Sequence, residues 1–592
     1  MDSTMMAFPL TLFHLMERAR KIFPDVPVVS RHPDGTLART SYGDVQVRAL
    51  RLARALRRLG LQPGDRVATL AWNHHRHLEA YFGIPAAGGI LHTVNPRLHR
   101  DDLTYILTDA RDRFLVVDDV LWPVFAPLRH LVPVERVIVW HHAPVAGEAP
   151  VPGGAGTDDY EALLDAEAVA DPDPWAGWPD DLPAEGTAAA MCYTSGTTGR
   201  PKGVVYAHRS LVLHAVTSGL PNALNLSFDS VVMPVVPLFH VNAWGLPYSS
   251  TLNGARLVLP GPRLDAASLV DLMVSERVTL SAGVPTVWLG VLDYLDRHPG
   301  QFDLSALRTL VIGGSAVPPA MIDGFERRHG IEVVQAWGMT EMSPLGTFAR
   351  LTPELRAAPR EAQLHRRAAQ GLPLPLVEAR AVGQDGPAPW DGETRGELQV
   401  RGPWVTRAYY RGDVSGDSPG DADGPDDEKF TPDGWFRTGD VVTIDAEGYV
   451  RIADRIKDLI KSGGEWIGSV ALENALMGHP DVREAAVVAV PHLKWDERPV
   501  AVVVLRDGAQ AGAAELHAHL APTFARWWLP DAYVFTEDLP HTAAGKVRKT
   551  ALRERLAAGL PADAIVVRQD RGDPAGGQLA SPPPVRAGSA PE

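Results

Sequence analysis

Apolar residues along the first part of the chain recur in two alternating rhythms. From Ser41 to Leu59, the residues Val45, Leu52, Leu56 and Leu59 fall near one helix face. Ser41 suits the N-cap, Asp44 a capping-box-like partner, and Gly60 the stop. A strand-like run follows at Val67–Trp72, then a helical pattern over Leu78–Gly88, then short apolar runs at Phe114–Asp118 and Val137–Trp140. Helices alternating with buried strands predict parallel α/β layers. The apolar stretch Met5–Leu15 is followed at once by Glu17, Arg18 and Arg20, and Asp2 stands where a secretion signal wants a basic residue. It reads as a short amphipathic helix. Toward the end the rhythm changes. Strand patterns at Ala485–Val490, Val500–Leu505 and Ala532–Thr536, with helical patterns between and after them, predict a separate α+β domain from Asp454 to Gly559.

Three stretches lack either rhythm. Ala143–Glu185 is rich in Pro, Gly, Ala and Asp and reads as a long surface connection. Arg411–Asp427 reads as a solvated acidic insertion, and Gln569–Glu592 as part of a disordered tail from 560 to 592. No internal repeat is evident. The expected division is therefore 1–453, 454–559 and 560–592.

Composition narrows the function. Among 592 residues, 57 are basic and 72 acidic, for a net charge of −15. That balance argues against a nucleic-acid footprint, which needs basic stripes. A single cysteine, Cys192, excludes an intramolecular disulfide framework and suits a reducing compartment. No apolar run reaches the roughly 18 residues of a membrane span.

The chemistry concentrates in a few segments. Tyr193-Thr-Ser-Gly-Thr-Thr-Gly-Arg-Pro-Lys-Gly203 packs three glycines, four small hydroxyl side chains and a lysine into eleven positions. Glycines let backbone N–H groups approach phosphate, hydroxyls add donors, and Lys202 adds charge. The order differs from a Walker loop, because Lys202 follows Pro201 and precedes Gly203. Further along come Ala336-Trp-Gly-Met-Thr-Glu341, Trp435-Phe-Arg-Thr-Gly-Asp440, Asp454-Arg-Ile-Lys-Asp-Leu-Ile-Lys-Ser-Gly-Gly-Glu-Trp466 and Thr542-Ala-Ala-Gly-Lys546. Each alone would read as an ordinary turn or helix start. Lys546 with Arg548 and Lys549 would read as the basic end of a surface helix.

Together and in this order, the segments resemble the motif set of the adenylate-forming superfamily: acyl-CoA synthetases, luciferases and peptide-synthetase adenylation domains. The resemblance covers roughly Leu10 to Gly559 and is nearest to bacterial long-chain fatty-acid CoA ligases. It implies a large α/β N-terminal domain of layered sheets with flanking helices and a small β-barrel, followed by a smaller mobile α+β domain. It implies ATP and Mg²⁺ as cofactors, coenzyme A as co-substrate, and a homodimer in the cytoplasm.

By the same resemblance, Thr194, Ser195, Gly196, Thr197, Thr198, Gly199 and Lys202 hold phosphate, and Thr194 and Glu341 hold Mg²⁺. Gln335, Trp337, Gly338 and Thr340 form the adenine segment, with Trp337 where tyrosine is more usual. Asp440 binds ribose, Asp454 is the hinge, and Arg455, Lys457 and Lys461 lie near the nucleotide. Lys546, Thr194 and Glu341 are the catalytic set. His240, Val241, Trp244, Gly313 and Gly314 line the acyl pocket, within the supporting segments Val236–Trp244 and Gly283–Trp288, and Trp466 gates it.

The implied reaction is formation of a medium- or long-chain acyl-CoA through acyl-AMP. A short acid such as 3-methylmercaptopropionate, an acceptor other than coenzyme A, and a non-catalytic nucleotide-binding protein are the alternatives. His74, His75, His77, His208 and His214 form no convincing zinc pattern. Cys192 reads as a buried strand cysteine.

Overall fold

The computed structural model describes residues 3–142, 156–170, 182–194, 200–412, 427–463, 465–492, 494–542, 545–557, 560–561 and 564–567. Residues 413–426 of the expected acidic insertion Arg411–Asp427, and the tail beyond 567, lie outside them. The chain forms two compact units. One comprises Met1–Ser315, Ile322–Ala379 and Gln399–Arg437; the other comprises Ala316–Met321, Arg380–Leu398 and Thr438–Glu592.

The first unit is built on two largely parallel sheets. In one, strands 157–159, 136–140, 114–118, 66–70, 90–93 and 188–193 lie side by side and parallel, and 203–207 closes the edge antiparallel. The other has nine strands, with 332–338, 309–313, 280–283, 231–234, 256–259 and 27–31 parallel at its centre. Strands covered on both faces should be apolar throughout, and Phe114–Asp118 and Thr309–Gly313 are buried at every position.

The helix read from Ser41 runs over Tyr42–Arg58. Ser41 Oγ accepts from Asp44 N–H at 3.2 Å and donates to Asp44 Oδ2 at 2.9 Å. At the other end Gly60, at φ 95°, lets its N–H reach Arg57 O at 3.0 Å and the Leu61 N–H reach Leu56 O at 3.0 Å. This is the paired Schellman closure. The N-terminal helix falls at Leu12–Ile22, later than the apolar stretch begins, because Met5, Met6 and Phe8 are exposed.

One expectation is corrected. The stretch 143–185 is not only a connection: it holds the strand Thr157–Asp159 and the helix Tyr160–Ala170. Tyr160 and Leu164 are buried, and Tyr160 OH donates to Glu79 Oε2 at 2.6 Å. Glu79, wholly buried, is satisfied from the other side by Arg48 Nε at 2.7 Å. The alanines that made the segment look like a loop are the best helix formers.

The second unit carries a six-stranded sheet in which Val482–His492 and Asp496–Leu505 form a long antiparallel hairpin. The helices Ser469–Leu476, Ala513–Leu520 and Lys549–Ala557 belong to the same unit. A five-stranded sheet that includes the hairpin of Phe436–Ile444 with Val450–Arg455 stands where a small barrel is expected. Among the described residues, no helix is long and apolar enough to cross a membrane.

The first unit buries several neutral histidines. Burial pushes His74 and His208 down to about 4, and His77 and His214 down to about 3, from 6.5. For His74 the Asp118 charge offsets part of that effect. Below pH 6.5 the unfolded chain therefore binds protons that the folded chain refuses. Stability should be fully present above pH 6.5 and fall as pH drops toward 4, by up to about 1.4 kcal/mol per pH unit for each such histidine. Thermal unfolding between pH 7.5 and 5 checks this; a flat melting temperature across that range contradicts it.

Candidate functional site

The loop richest in glycine and hydroxyl groups is the tip of a hairpin. Ala188–Tyr193 pairs antiparallel with Gly203–Ala207, Tyr193 opposite Gly203. Just beyond, the Thr194 N–H donates to Lys202 O at 2.9 Å, and the Lys202 N–H donates to Thr194 Oγ1 at 3.0 Å. These two bonds close the neck. Ser195, Gly196, Thr197, Thr198 and Gly199 lie outside the described residues. The hairpin setting differs from a Walker loop, which runs from a strand into a helix.

Lys202 and Glu341 are brought to one tyrosine. The Lys202 ammonium lies 4.8 Å from the ring centroid of Tyr409, and Tyr409 OH donates to Glu341 Oε1 at 2.7 Å. The Thr406 N–H also donates to Glu341 O at 2.7 Å, and the Tyr410 N–H donates to Gly203 O at 2.8 Å. The segment 406–410 therefore straps the hairpin neck to the turn Thr340–Met342. From the strand after the neck, Tyr206 OH donates to Thr340 O at 2.7 Å. Sequence reasoning missed Tyr409; its only signal was the aromatic pair Tyr409-Tyr410 in an otherwise polar stretch.

Gln335, Trp337 and Gly338 lie on the strand Glu332–Gly338, beside Thr309–Gly313, with Gly313 opposite Ala336. Trp337 is 8% exposed, and its ring lies against Gly346. His240 is half-buried, whereas Val241 and Trp244 are buried. From Val241 to Gly245 the backbone is left-handed at five successive residues, with φ of 45°, 51°, 47°, 57° and 75°. Four of these are not glycine, and each costs roughly 1–2 kcal/mol in that region. Strain of this kind persists only where surroundings impose it, and it gathers at functional sites. The turn carries the edge of the Trp244 ring to Gly313, where a Cβ would meet that ring at 3.2 Å. Gly314 follows at φ 91°.

Cys192 sits behind the turn, its thiol 3.3 Å from Thr93 Oγ1 and 3.4 Å from Asn242 Oδ1. Burial pushes the thiol up to about 11, so it stays protonated and inert, as expected of a strand cysteine.

In the second unit, Asp440 is buried opposite Arg455, whose Nε lies 3.1 Å from Asp440 Oδ1. Lys457 and Lys461 are exposed. Lys461 pairs with Trp466 across a hairpin, and Trp466 is 49% exposed. At the turn of that hairpin Gly463 has φ 60°, and a Cβ there would meet the Trp495 ring at 2.8 Å. Gly464 lies outside the described residues. Lys546 sits on a loop closed by Thr542: Thr542 N–H to Lys546 O at 2.6 Å, and Lys546 N–H to Thr542 Oγ1 at 3.1 Å. Arg548 is exposed as read, but Lys549 is not a surface charge. Its Nζ lies 2.6 Å from Glu473 Oε1, and its side chain is 13% exposed. A carboxylate on the neighbouring helix holds it inside.

The histidines make one cluster that spacing did not reveal. His74, Asp118 and His142 place ligand-type atoms within 4.8 Å of one another. The hydrogen bonds assign their protons. His74 Nδ1 accepts from the His77 N–H, and Arg76 faces His142 Nδ1, so both Nε2 atoms carry hydrogens and donate to Asp118 Oδ1, at 2.8 and 3.1 Å. With that arrangement each ring turns an N–H, not a lone pair, toward Asp118.

At Gly245 a Cβ would strike the His214 ring at 2.6 Å. Gly245→Ala combines that collision with positive φ, so it should destabilise the first unit by at least about 2 kcal/mol. Urea unfolding measures this, and a change below about 0.5 kcal/mol would remove the argument for the strained turn.

The model of the AMP-binding enzyme family matches residues 16–410, and that of the AMP-binding enzyme C-terminal domain matches 471–546. The chain is 50% identical over 555 residues to the long-chain-fatty-acid–CoA ligase of Thermus thermophilus, covering 93% of this chain and 97% of that one. It is 45% identical over 554 residues to the 3-methylmercaptopropionyl-CoA ligase of Ruegeria pomeroyi, covering 93% and 98%. Among solved structures, the anthranilate CoA ligase AuaEII in complex with anthranoyl-AMP matches with a TM-score of 0.78 at 25% identity, over 95% of this chain and 100% of that one. The chain belongs to the AMP-binding enzyme family of adenylate-forming acid–CoA ligases.

Proposed function

We propose that the protein activates a medium- or long-chain fatty acid with ATP and transfers it to coenzyme A. The observation that carries this reading is the first-unit site: a closed phosphate-type hairpin neck, and Lys202 and Glu341 held on one tyrosine. The neighbouring segments Val236–Trp244 and Gly283–Trp288 supply apolar and aromatic residues. In the first step a carboxylate oxygen attacks the α-phosphorus of ATP. A P–O bond forms, the bond to pyrophosphate breaks, and acyl-AMP results. In the second the thiol sulfur of coenzyme A attacks the acyl carbonyl, losing its proton, and AMP leaves.

Positioning and charge carry the first step. Residues 194–199 and Lys202 hold the phosphates, and Gln335, Trp337, Gly338 and Thr340 hold adenine. Asp440, with Arg455 beside it, takes the ribose, and Lys457 and Lys461 lie near the nucleotide. Lys546 meets the charge that builds at the α-phosphate. The oxygens of Glu341 and Thr194 are the donor type that a hard divalent cation takes, so these two residues would hold Mg²⁺, which would neutralise phosphate charge. His240, Val241, Trp244, Gly313 and Gly314 wall the acyl group, and Trp466 gates it. The division at Asp454 makes 454–559 the mobile domain and 560–592 a tail, of which Ile565–Val566 pairs with the strand Ala532–Phe535. Family resemblance supports a homodimer in the cytoplasm.

The relative that acts on 3-methylmercaptopropionate favours a second reading, a short thioether acid. Pyrophosphate release over acids of increasing length separates the two. Each methylene buried in an apolar channel should add about 0.8 kcal/mol until the channel ends. kcat/KM should thus rise from acetate through octanoate and beyond. A maximum at acetate or at the thioether acid overturns the fatty-acid reading.

A further inference from the structure

Lys549 opens the helix Lys549–Ala557, three residues after Lys546. Besides Glu473, its Nζ donates to Ser469 Oγ at 2.6 Å. Ser469 passes the connection on: its Oγ donates to Asp454 Oδ2 at 2.6 Å, and its N–H donates to the same oxygen at 2.5 Å. Asp454 Oδ1 takes the N–H of Arg455 at 2.7 Å. One helical turn beyond Lys549, Arg553 pairs with Asp458 Oδ1 at 2.7 Å. The first turn of this helix is thus fastened twice to the segment 454–458.

Filling space does not explain a lysine here. A buried ammonium costs several kcal/mol unless it is paired, and an apolar side chain of similar reach is often as stable. Glu473, Ser469 and Asp454 satisfy it; Asp454 and Ser469 are 1% and 0% exposed. Burial presses the Lys549 pKa down, but the carboxylates of Glu473, Asp454 and Asp458 outweigh that and raise it. What a directional network adds over apolar packing is a fixed register between its parts. The parts on either side are the loop of Lys546, closed by the Arg548 N–H on Pro540 O at 2.7 Å, and the segment that begins at Asp454.

We propose that Lys549 is a positioning residue: through Ser469 and Asp454 it locks the loop carrying Lys546 to the segment 454–458, so that the two move as one piece. This rests on the reading of Lys546 as an adenylation residue. Lys549 touches no substrate in this account. Its effect should appear only in the half-reaction that needs Lys546.

Two variants test it. The double variant Lys549→Met with Glu473→Gln removes the ion pair and leaves the Asp454 carboxylate with its N–H and O–H donors. Ser469→Ala cuts the relay and keeps the ion pair. In each, pyrophosphate release should fall, about tenfold in the double variant and about threefold in Ser469→Ala, with KM for ATP little changed. Thioester formation from pre-made acyl-AMP and coenzyme A should stay near the wild-type rate. A merely structural role would lower both half-reactions together. If Ser469→Ala adenylates at the wild-type rate, or if either variant loses both half-reactions in parallel, the proposal is overturned. Lys546→Ala, run alongside, separates the two levels of inference: normal adenylation in that variant removes the role of Lys546, whatever the Lys549 variants do.

Discussion

One tyrosine sets the spacing between a positive and a negative group. Tyr409 offers its ring face to the Lys202 ammonium and its hydroxyl to the Glu341 carboxylate. A cation over an aromatic face gains on the order of 0.5–2 kcal/mol, and a hydrogen bond to a charged group about 1.5–3 kcal/mol. Lys202 stands at the hairpin neck, where the Thr194 N–H bonds Lys202 O and the Lys202 N–H bonds Thr194 Oγ1. Six parallel strands could end in an exposed edge, yet the last strand turns back antiparallel, and its pairing with Ala188–Tyr193 holds the two ends of the glycine- and hydroxyl-rich loop together. In a chain of net charge −15, Lys202 is a local positive charge fixed by tertiary geometry and not by composition.

Much of this was legible in the sequence wherever periodicity and local chemistry agreed. The helix from Ser41 declared its cap, its apolar face and its glycine stop, and all three are present. Strands 114–118 and 136–140 were legible as short apolar runs between polar breaks. The helix Tyr160–Ala170 was hidden by alanines in a Pro- and Gly-rich setting, although Tyr160 and Leu164 lie one turn apart and both face inward.

Long-range pairings were the least legible. Nothing near Tyr409 in the sequence says that it meets Glu341, sixty-eight positions earlier. Lys549 looked like a surface charge because its partner, Glu473, is seventy-six positions away by number. The left-handed turn at Val241–Gly245 could not be read from propensity, since only one of its five residues is glycine. Tertiary packing imposes it, with Gly245 pressed against His214 and Trp244 against Gly313. The second unit repeats the lesson: its sheet follows local pattern, while the network from Asp454 to Lys549 exists only in the folded chain.

The account turns on reversible formation of acyl-AMP. Exchange of labelled pyrophosphate into ATP, with a long-chain fatty acid present and coenzyme A absent, measures that step alone. The account predicts exchange that requires the acid and falls at least about 10²-fold in Lys546→Ala, the scale of losing one preorganised electrostatic group. Exchange that ignores the acid, or that survives unchanged in Lys546→Ala, would contradict it.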